Sequence, residues 1–197
     1  IIVISDEIHC DMALYGNRHI PFASVSPEAA ACSITFGAPS KTFNIAGIVS
    51  SYSIVPNDEL RRRFHEWMEA NEMNAAPLFS PIATIAAFRK GEEWRKQMLE
   101  YVEGNINFLT DYCREKMPEI KPLRPQASFL VWLDCRGLGL DHDQLVDLFI
   151  NKAGLALNDG EMFNPGGQGF MRLNVGTPRK VLKSALDRLH KAISENL

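Results

Sequence analysis

Ser33-Ile34-Thr35-Phe36-Gly37, continuing as Ala38-Pro39-Ser40-Lys41-Thr42-Phe43-Asn44, is the stretch that decides the fold. Its first five residues are an apolar run of strand length, and the glycine and proline behind them read as the loop in which the strand ends. Lys41 therefore stands at the mouth of a buried strand. Lysine is mostly exposed in folded proteins, so a loop lysine by itself needs no function. A desolvated amine, however, has a depressed pKa and becomes a nucleophile or Schiff-base former. A second element favours the chemical reading: Ile1-Ile2-Val3-Ile4-Ser5-Asp6-Glu7-Ile8-His9 is another apolar run, ending in two carboxylates and an imidazole. Two strands of parallel type, each buried on both faces and each ending in functional polar groups, predict one site at the carboxyl ends of an α/β sheet.

Beyond Lys41, the run from Ile45 to Val55 reads as a strand in its later part, stopped by Pro56. Asn57 then caps a helix with Leu60, Phe64, Trp67 and Met68 on one stripe. Ser80 and Pro81 read as the N-cap and first residue of another helix. From Glu92 a long helix carries Trp94, Met98, Tyr101, Val102, Ile106, Leu109, Tyr112 and Cys113, and stops before Pro118. The pattern then changes to α+β: a strand over 128–134, a helix opened by Asp141, short strands over 155–157 and 169–175, and a last amphipathic helix begun by Thr177 and Pro178. The predicted division is residues 1–90 as part of an α/β domain and 91–197 as a long connecting helix with a smaller α+β domain.

Of the 197 residues, 46% are hydrophobic and 23% charged, so the chain has the composition of a folded globular protein. A formal net charge of −3 leaves no basic footprint, and Arg61-Arg62-Arg63 shares its helix with Asp58, Glu59, Glu66 and Glu69; nucleic acid is not an expected partner. Cys10, Cys32, Cys113 and Cys135 are far apart, which argues against a zinc knuckle or a dithiol motif and for reduced thiols in a cytoplasmic protein. The dispersed histidines form no metal-ligand pattern. No apolar stretch reaches transmembrane length, and no membrane partner is expected. Because residue 1 already lies in a strand-like run, the expectation is a piece of a longer protein.

Asp6, at the end of its strand, needs a cationic partner or hydrogen bonds to stay ionised if it is buried; its bland alternative is a helix cap or a structural ion pair. Glu7 and Asp11 read as solvated or structural. Arg172 lies between Met171 and Leu173, so strand alternation places its guanidinium on the face opposite theirs, suited to bidentate carboxylate recognition or to a salt bridge. Gly166-Gly167-Gln168-Gly169 lacks the strand-turn-helix context of a phosphate loop and reads as a tight bend before the Arg172 strand.

These segments resemble the fold-type I pyridoxal-phosphate enzymes of the class I/II aminotransferase superfamily, and within it the cystathionine β-lyase branch of the MalY and PatB type. The matching pieces are Ser5-Asp6-Glu7-Ile8-His9 with Asp11, His19-Ile20-Pro21-Phe22, Ser40-Lys41-Thr42-Phe43-Asn44-Ile45, Leu157-Asn158-Asp159-Gly160 and Gly169-Phe170-Met171-Arg172-Leu173-Asn174. They occur in family order over nearly the whole chain. The resemblance implies that residues 1–90 are the C-terminal part of the cofactor-binding large domain, with a mostly parallel sheet and helices. It makes Lys41 the Schiff-base lysine for pyridoxal 5'-phosphate and Asp6 the partner of the pyridine nitrogen. His9 would lie near the phenolic oxygen, Ser40 would help hold the phosphate, and Arg172 would hold the substrate's α-carboxylate.

The implied activity is carbon–sulfur β-elimination on cystathionine-like amino acids, in a homodimer of the longer protein. The alternatives are a class I/II aminotransferase and a non-catalytic regulatory module. Two positions depart from the pattern, because Ala38 and Val49 stand where many relatives place a phosphate-binding serine and an arginine. The implied N-terminal half would supply the phosphate loop and the aromatic ring that stacks on the cofactor, so residues 1–197 alone are expected to be inactive. A Walker-type nucleotide site is a poor match: the residue before Lys41 is Ser40 rather than glycine, and the acidic strand precedes the lysine loop.

Overall fold

A computed structural model of the chain describes residues 1–163 and 165–196, which divide into two units, Ile1–Leu99 and Glu100–Leu197. In the first unit, β1 (Val3–Asp6), α1 (Pro27–Ala31), β2 (Ser33–Gly37), β3 (Tyr52–Ile54), α2 (Asp58–Ala70) and α3 (Ser80–Lys90) precede the start of α4 (Glu92–Lys116). The strands form one sheet of order β1-β2-β3. Its pairings are mixed: β1 and β2 run parallel from Val3↔Ser33 to Asp6↔Phe36, and β3 returns antiparallel, with Thr35 opposite Ile54 and Gly37 opposite Tyr52. The central strand is covered on both faces, with Ser33, Ile34 and Thr35 all buried.

β1 departs from the sequence expectation of burial on both faces. It lies at the sheet edge and pairs only with β2, and Ile2 and Ile4 are 53% and 68% exposed. On the same face of the sheet as Ile4, Phe64 of α2 meets Phe36 of β2 edge to face at 5.9 Å between ring centroids. Asn57 caps α2 as its sequence predicts, its side chain accepting from Leu60 N–H at 3.0 Å, but Trp67 at the far end of the apolar stripe stays exposed. Ser80 is not the cap of α3. It is the first helical residue, and its buried hydroxyl donates to the Ile48 carbonyl, tying the helix to the loop that follows Lys41.

The second unit contains most of α4, then β4 (Lys121–Leu123), β5 (Leu130–Asp134), α5 (His142–Asp147), β6 (Asn158–Asp159), β7 (Phe170–Asn174) and α6 (Arg179–Asn196). Its sheet has the order β4-β5-β7-β6 and is antiparallel throughout. Val131, Leu133, Met171 and Leu173 occupy one face and are buried, as are Leu109 of α4 and Leu182 and Leu186 of α6. Asp141 forms a capping box with Gln144, and α5 runs on into a π-helical turn, Leu148–Lys152.

Two strands differ from the sequence reading. The one expected over 155–157 forms at Asn158–Asp159, because Leu155 and Leu157 N–H groups are used in local turns to Phe149 and Leu155 carbonyls. β4 was not foreseen, since it contains Pro122, a residue that strands admit mainly at sheet edges, where β4 lies. Among the described residues, no helix is long and apolar enough to cross a membrane.

Candidate active site

Asp6 closes β1, and Lys41 follows the end of β2 by one short loop, so the parallel pairing of these strands brings both groups to one end of the sheet. Open α/β sheets bind ligands at the carboxyl ends of their strands. Ser40 shares the Lys41 loop, where its carbonyl accepts from Ile45 N–H at 3.1 Å. His9 leads into the short turn Cys10–Met12, its carbonyl accepting from Met12 N–H. Asp6 and Lys41 are both exposed, so this chain does not provide the desolvation that its sequence suggests for the amine. The Asp6 carboxylate accepts from Ile8 N–H at 3.3 Å.

Glu7, read as solvated or structural, is the buried carboxylate of this strand end, 8% exposed. It accepts from Ser5 Oγ at 3.0 Å, from His19 Nε2 at 2.7 Å and from Phe22 N–H at 2.9 Å. Burial works to raise its pKa, but the bonds from His19, Phe22 and Ser5 outweigh burial and hold the carboxyl below its usual value. Glu7 thus binds the His19-Ile20-Pro21-Phe22 segment to the end of β1. A carboxylate directly after Asp6 gave no sequence signal that separated one role from the other.

The loop after Lys41 holds another feature that its sequence conceals. Val49 adopts φ 52°, a left-handed conformation that costs a β-branched residue on the order of 1–2 kcal/mol. Such strain persists only where surrounding contacts impose it, and here Ser80 holds the preceding carbonyl of Ile48 while Ser50 bonds Thr84 at 2.7 Å.

Arg172 belongs to the second unit. It pairs across the sheet with Trp132 on β5 and Asn158 on β6, and Met171 and Leu173 face the core on the opposite side. Its Nη2 donates to Asn158 Oδ1 at 2.9 Å, and its guanidinium lies 4.3 Å from the centroid of the Phe163 ring. The Nε–H is buried without a hydrogen-bond partner among the described protein groups. A planar fork with an unused donor is equipped to receive a carboxylate. Asn158 and Phe163 were not singled out in the sequence. Asn158 lies in a quoted motif piece but no feature of that piece gave it a role, and the stacking of Phe163 on Arg172 leaves no sequence trace. Gly167, in the bend before β7, approaches the backbone so closely that a Cβ there would lie 2.0 Å from the Gly160 carbonyl oxygen.

The groups at the end of β1 and β2 fit pyridoxal phosphate in kind: an amine for its aldehyde, a carboxylate for its ring nitrogen and a loop hydroxyl for its phosphate. Thr42, next to Lys41, is fully buried with no partner for its hydroxyl among the described residues, and the buried Thr35 Oγ1 on β2 also has none among them. Buried hydroxyls without partners are uncommon and mark polar places that still have bonding capacity.

A mixed sheet with a lysine and an aspartate at the strand ends, together with an antiparallel unit presenting a strand arginine, defines a class of protein that sequence comparison identifies. The chain belongs to the aminotransferase class I and II family, whose model matches residues 1–189. It is 39% identical over 194 residues to cystathionine beta-lyase PatB of Bacillus subtilis (strain 168), covering 98% of this chain and 50% of that protein. Protein MalY of Escherichia coli (strain K12) is 33% identical over 97% of this chain and 48% of its own length. The crystal structure of cystalysin from Treponema denticola, which contains pyridoxal 5'-phosphate, matches with a TM-score of 0.95 at 33% identity, over 99% of this chain and 50% of that one. The chain thus spans about half the length of the relatives it matches.

Proposed function

We propose that a protein containing this chain at the relatives' full length is a pyridoxal 5'-phosphate-dependent carbon–sulfur β-lyase acting on cystathionine-like amino acids. The observation that carries the lyase reading is the 39% identity to a cystathionine beta-lyase across 98% of the chain. When bound, the cofactor supplies an aldehyde that condenses with amines and an electron-withdrawing ring that stabilises negative charge at the substrate α-carbon.

The residues of this chain supply the rest. Lys41 Nζ would hold the cofactor covalently and, as a free amine, would serve as the general base for the substrate α-proton. The Asp6 carboxylate holds a proton at the ring nitrogen, and His9 and Ser40 orient the phenolic and phosphate sides. Arg172 binds the substrate α-carboxylate through its guanidinium fork. The β-carbon–sulfur bond then breaks and the thiolate departs. The return of Lys41 Nζ to its anchoring place would release the three-carbon enamine, which takes up water and yields pyruvate and ammonia. Homodimer assembly and a cytoplasmic location complete the proposal.

Incubating the protein at full relative length with cystathionine and measuring free thiol and pyruvate tests this reading. Equal release of both is expected. Amino transfer to a keto acid without thiol release would overturn it in favour of an aminotransferase. Visible absorbance of the lysine-bound cofactor, expected to vanish in Lys41→Ala, separates either enzyme from a binding module.

A further inference from the structure

His142 opens α5 and is largely buried, with two specific contacts behind the Arg172 strand. Its Nε2 donates to Asp159 Oδ1 at 2.7 Å, and its Nδ1 accepts the Gly169 N–H at 3.3 Å. Asp159 Oδ1 also accepts the Glu161 N–H at 2.8 Å, and Glu161 Oε2 stands 3.9 Å from the same imidazole nitrogen. Asp159 is the second of only two residues in β6; the first is Asn158, the hydrogen-bond partner of Arg172. Gly169 is the residue immediately before β7, which carries Arg172. The imidazole therefore joins the edge strand holding the guanidinium's partner to the start of the strand holding the guanidinium.

We propose that His142 is a positioning residue for Arg172, acting from the back of the sheet through Asp159 and Asn158. The geometry follows from strand alternation. Asn158 and Asp159 project to opposite faces, so Asn158 meets Arg172 in front while Asp159 meets His142 behind. A two-residue edge strand has little of its own to fix register, and a slip of one residue would turn Asn158 away from Arg172. His142 holds that register from one side and Arg172 holds it from the other. The 3-10 turn Gly160–Phe163 continues directly from Asp159, so the same anchor places the Phe163 ring under the guanidinium. The ring nitrogens have distinct duties: one must carry a proton for Asp159, and the other must be bare for Gly169. The functional weight of this arrangement rests on the reading of Arg172 as the carboxylate-binding group, but the arrangement itself can be measured without ligand.

The test uses the 15N-labelled chain, with the Arg172 Nε–H signal assigned by its disappearance in Arg172→Lys. His142→Ala is expected to speed solvent exchange of that proton about tenfold, because the edge strand opens more readily once Asp159 loses its bond from His142. His142→Gln, whose carboxamide both donates and accepts, is expected to retain the wild-type rate within about twofold. Unchanged exchange in a folded His142→Ala chain would overturn the proposal. Should His142→Ala fail to fold, the 15N shifts of the wild-type imidazole decide. Protonated Nε2 with a bare Nδ1 supports the proposal, and the opposite tautomer sinks it. Acetate titration isolates the underlying reading: an acetate response that survives in Arg172→Gln refutes carboxylate binding by Arg172 while leaving the exchange result standing.

Discussion

The two sheets of this chain treat their apolar side chains differently. In the second unit, Val131, Leu133, Met171 and Leu173 form a sealed face, and α4 and α6 contribute Leu109, Leu182 and Leu186 to the same core at 2% exposure or less. In the first unit only the middle strand is covered on both sides, and Ile2, Ile4 and Ile54 are all more than half exposed. Arg172 is thus carried on a scaffold that completes its own core, whereas Asp6 and Lys41 sit on a sheet whose edge strand remains open. The carboxylate recognition proposed for Arg172 would rest on a scaffold within the second unit. The amine and its carboxylate have their order along the chain and their place at the strand ends, but not a dry environment.

The largest expected effect tests the sealed core. Leu109→Ala, at a residue with no exposed surface, is expected to cost about 3–5 kcal/mol through lost burial and an unfilled cavity. Phe64→Ala on half-buried α2 is expected to cost about 1–2 kcal/mol, since part of that ring already meets solvent. Native-state hydrogen exchange, read separately in each unit, provides both numbers. Equal losses would erase the distinction between the sheets.

The contrast also explains what could be read from the sequence. Periodicity found α2, α4 and α6 because a helix advertises its buried stripe over many turns, and alternation put Arg172 opposite Met171 and Leu173 correctly. The same reasoning failed at β1: an Ile/Val run predicts burial on both faces, but whether anything covers Ile4 depends on partners that four residues cannot specify. The place of Lys41 and Asp6 at one end of the sheet was legible because each follows an apolar run of strand length. Glu7, His142 and Asn158 were not, because their significance comes from partners 12 to 17 positions away, or 14 in the case of Asn158 with Arg172. Asn105, in the middle of an apolar stripe, gave no signal either.

Asn105 provides the next effect. It is fully buried on α4, donates to the Val175 and Thr177 carbonyls at 2.8 Å each and accepts from Arg179 Nε at 2.6 Å. Asn105→Ala strands all three partners and is expected to cost about 2–3 kcal/mol, visible as faster amide exchange at the start of α6. A cost near zero would mean that the second unit closes by apolar packing alone.

Glu7→Gln follows at about 1–2 kcal/mol near neutral pH, because the charge-assisted bond from His19 is weakened while the Phe22 and Ser5 bonds keep an acceptor. The folded pKa of Glu7 is lowered, so its contribution is present above the unfolded value of about 4.3 and is lost as pH falls through the folded value. Amide exchange of Phe22 across an acid series should therefore steepen in the wild type below about pH 4 and stay flatter in Glu7→Gln. Identical acid limbs in the two chains would show that Glu7 does not anchor the segment at the end of β1.

Ile4→Thr is the smallest and the most direct probe of the open sheet. Threonine keeps the β-branched shape that suits a strand, and at 68% exposure the side chain has little burial to lose. The backbone pairing of Ile4 with Ile34 does not depend on the side chain. The expected change is within about 0.5 kcal/mol, as for other substitutions at exposed positions. Ile34→Thr, directly across the pair but 7% exposed, should cost several times more, because its methyl groups face α2 rather than solvent. A loss at Ile4 equal to that at Ile34 would mean that the edge strand is packed on the face that holds Ile4. The contrast between the two sheets would then reduce to the other exposed residues, Ile2 and Ile54.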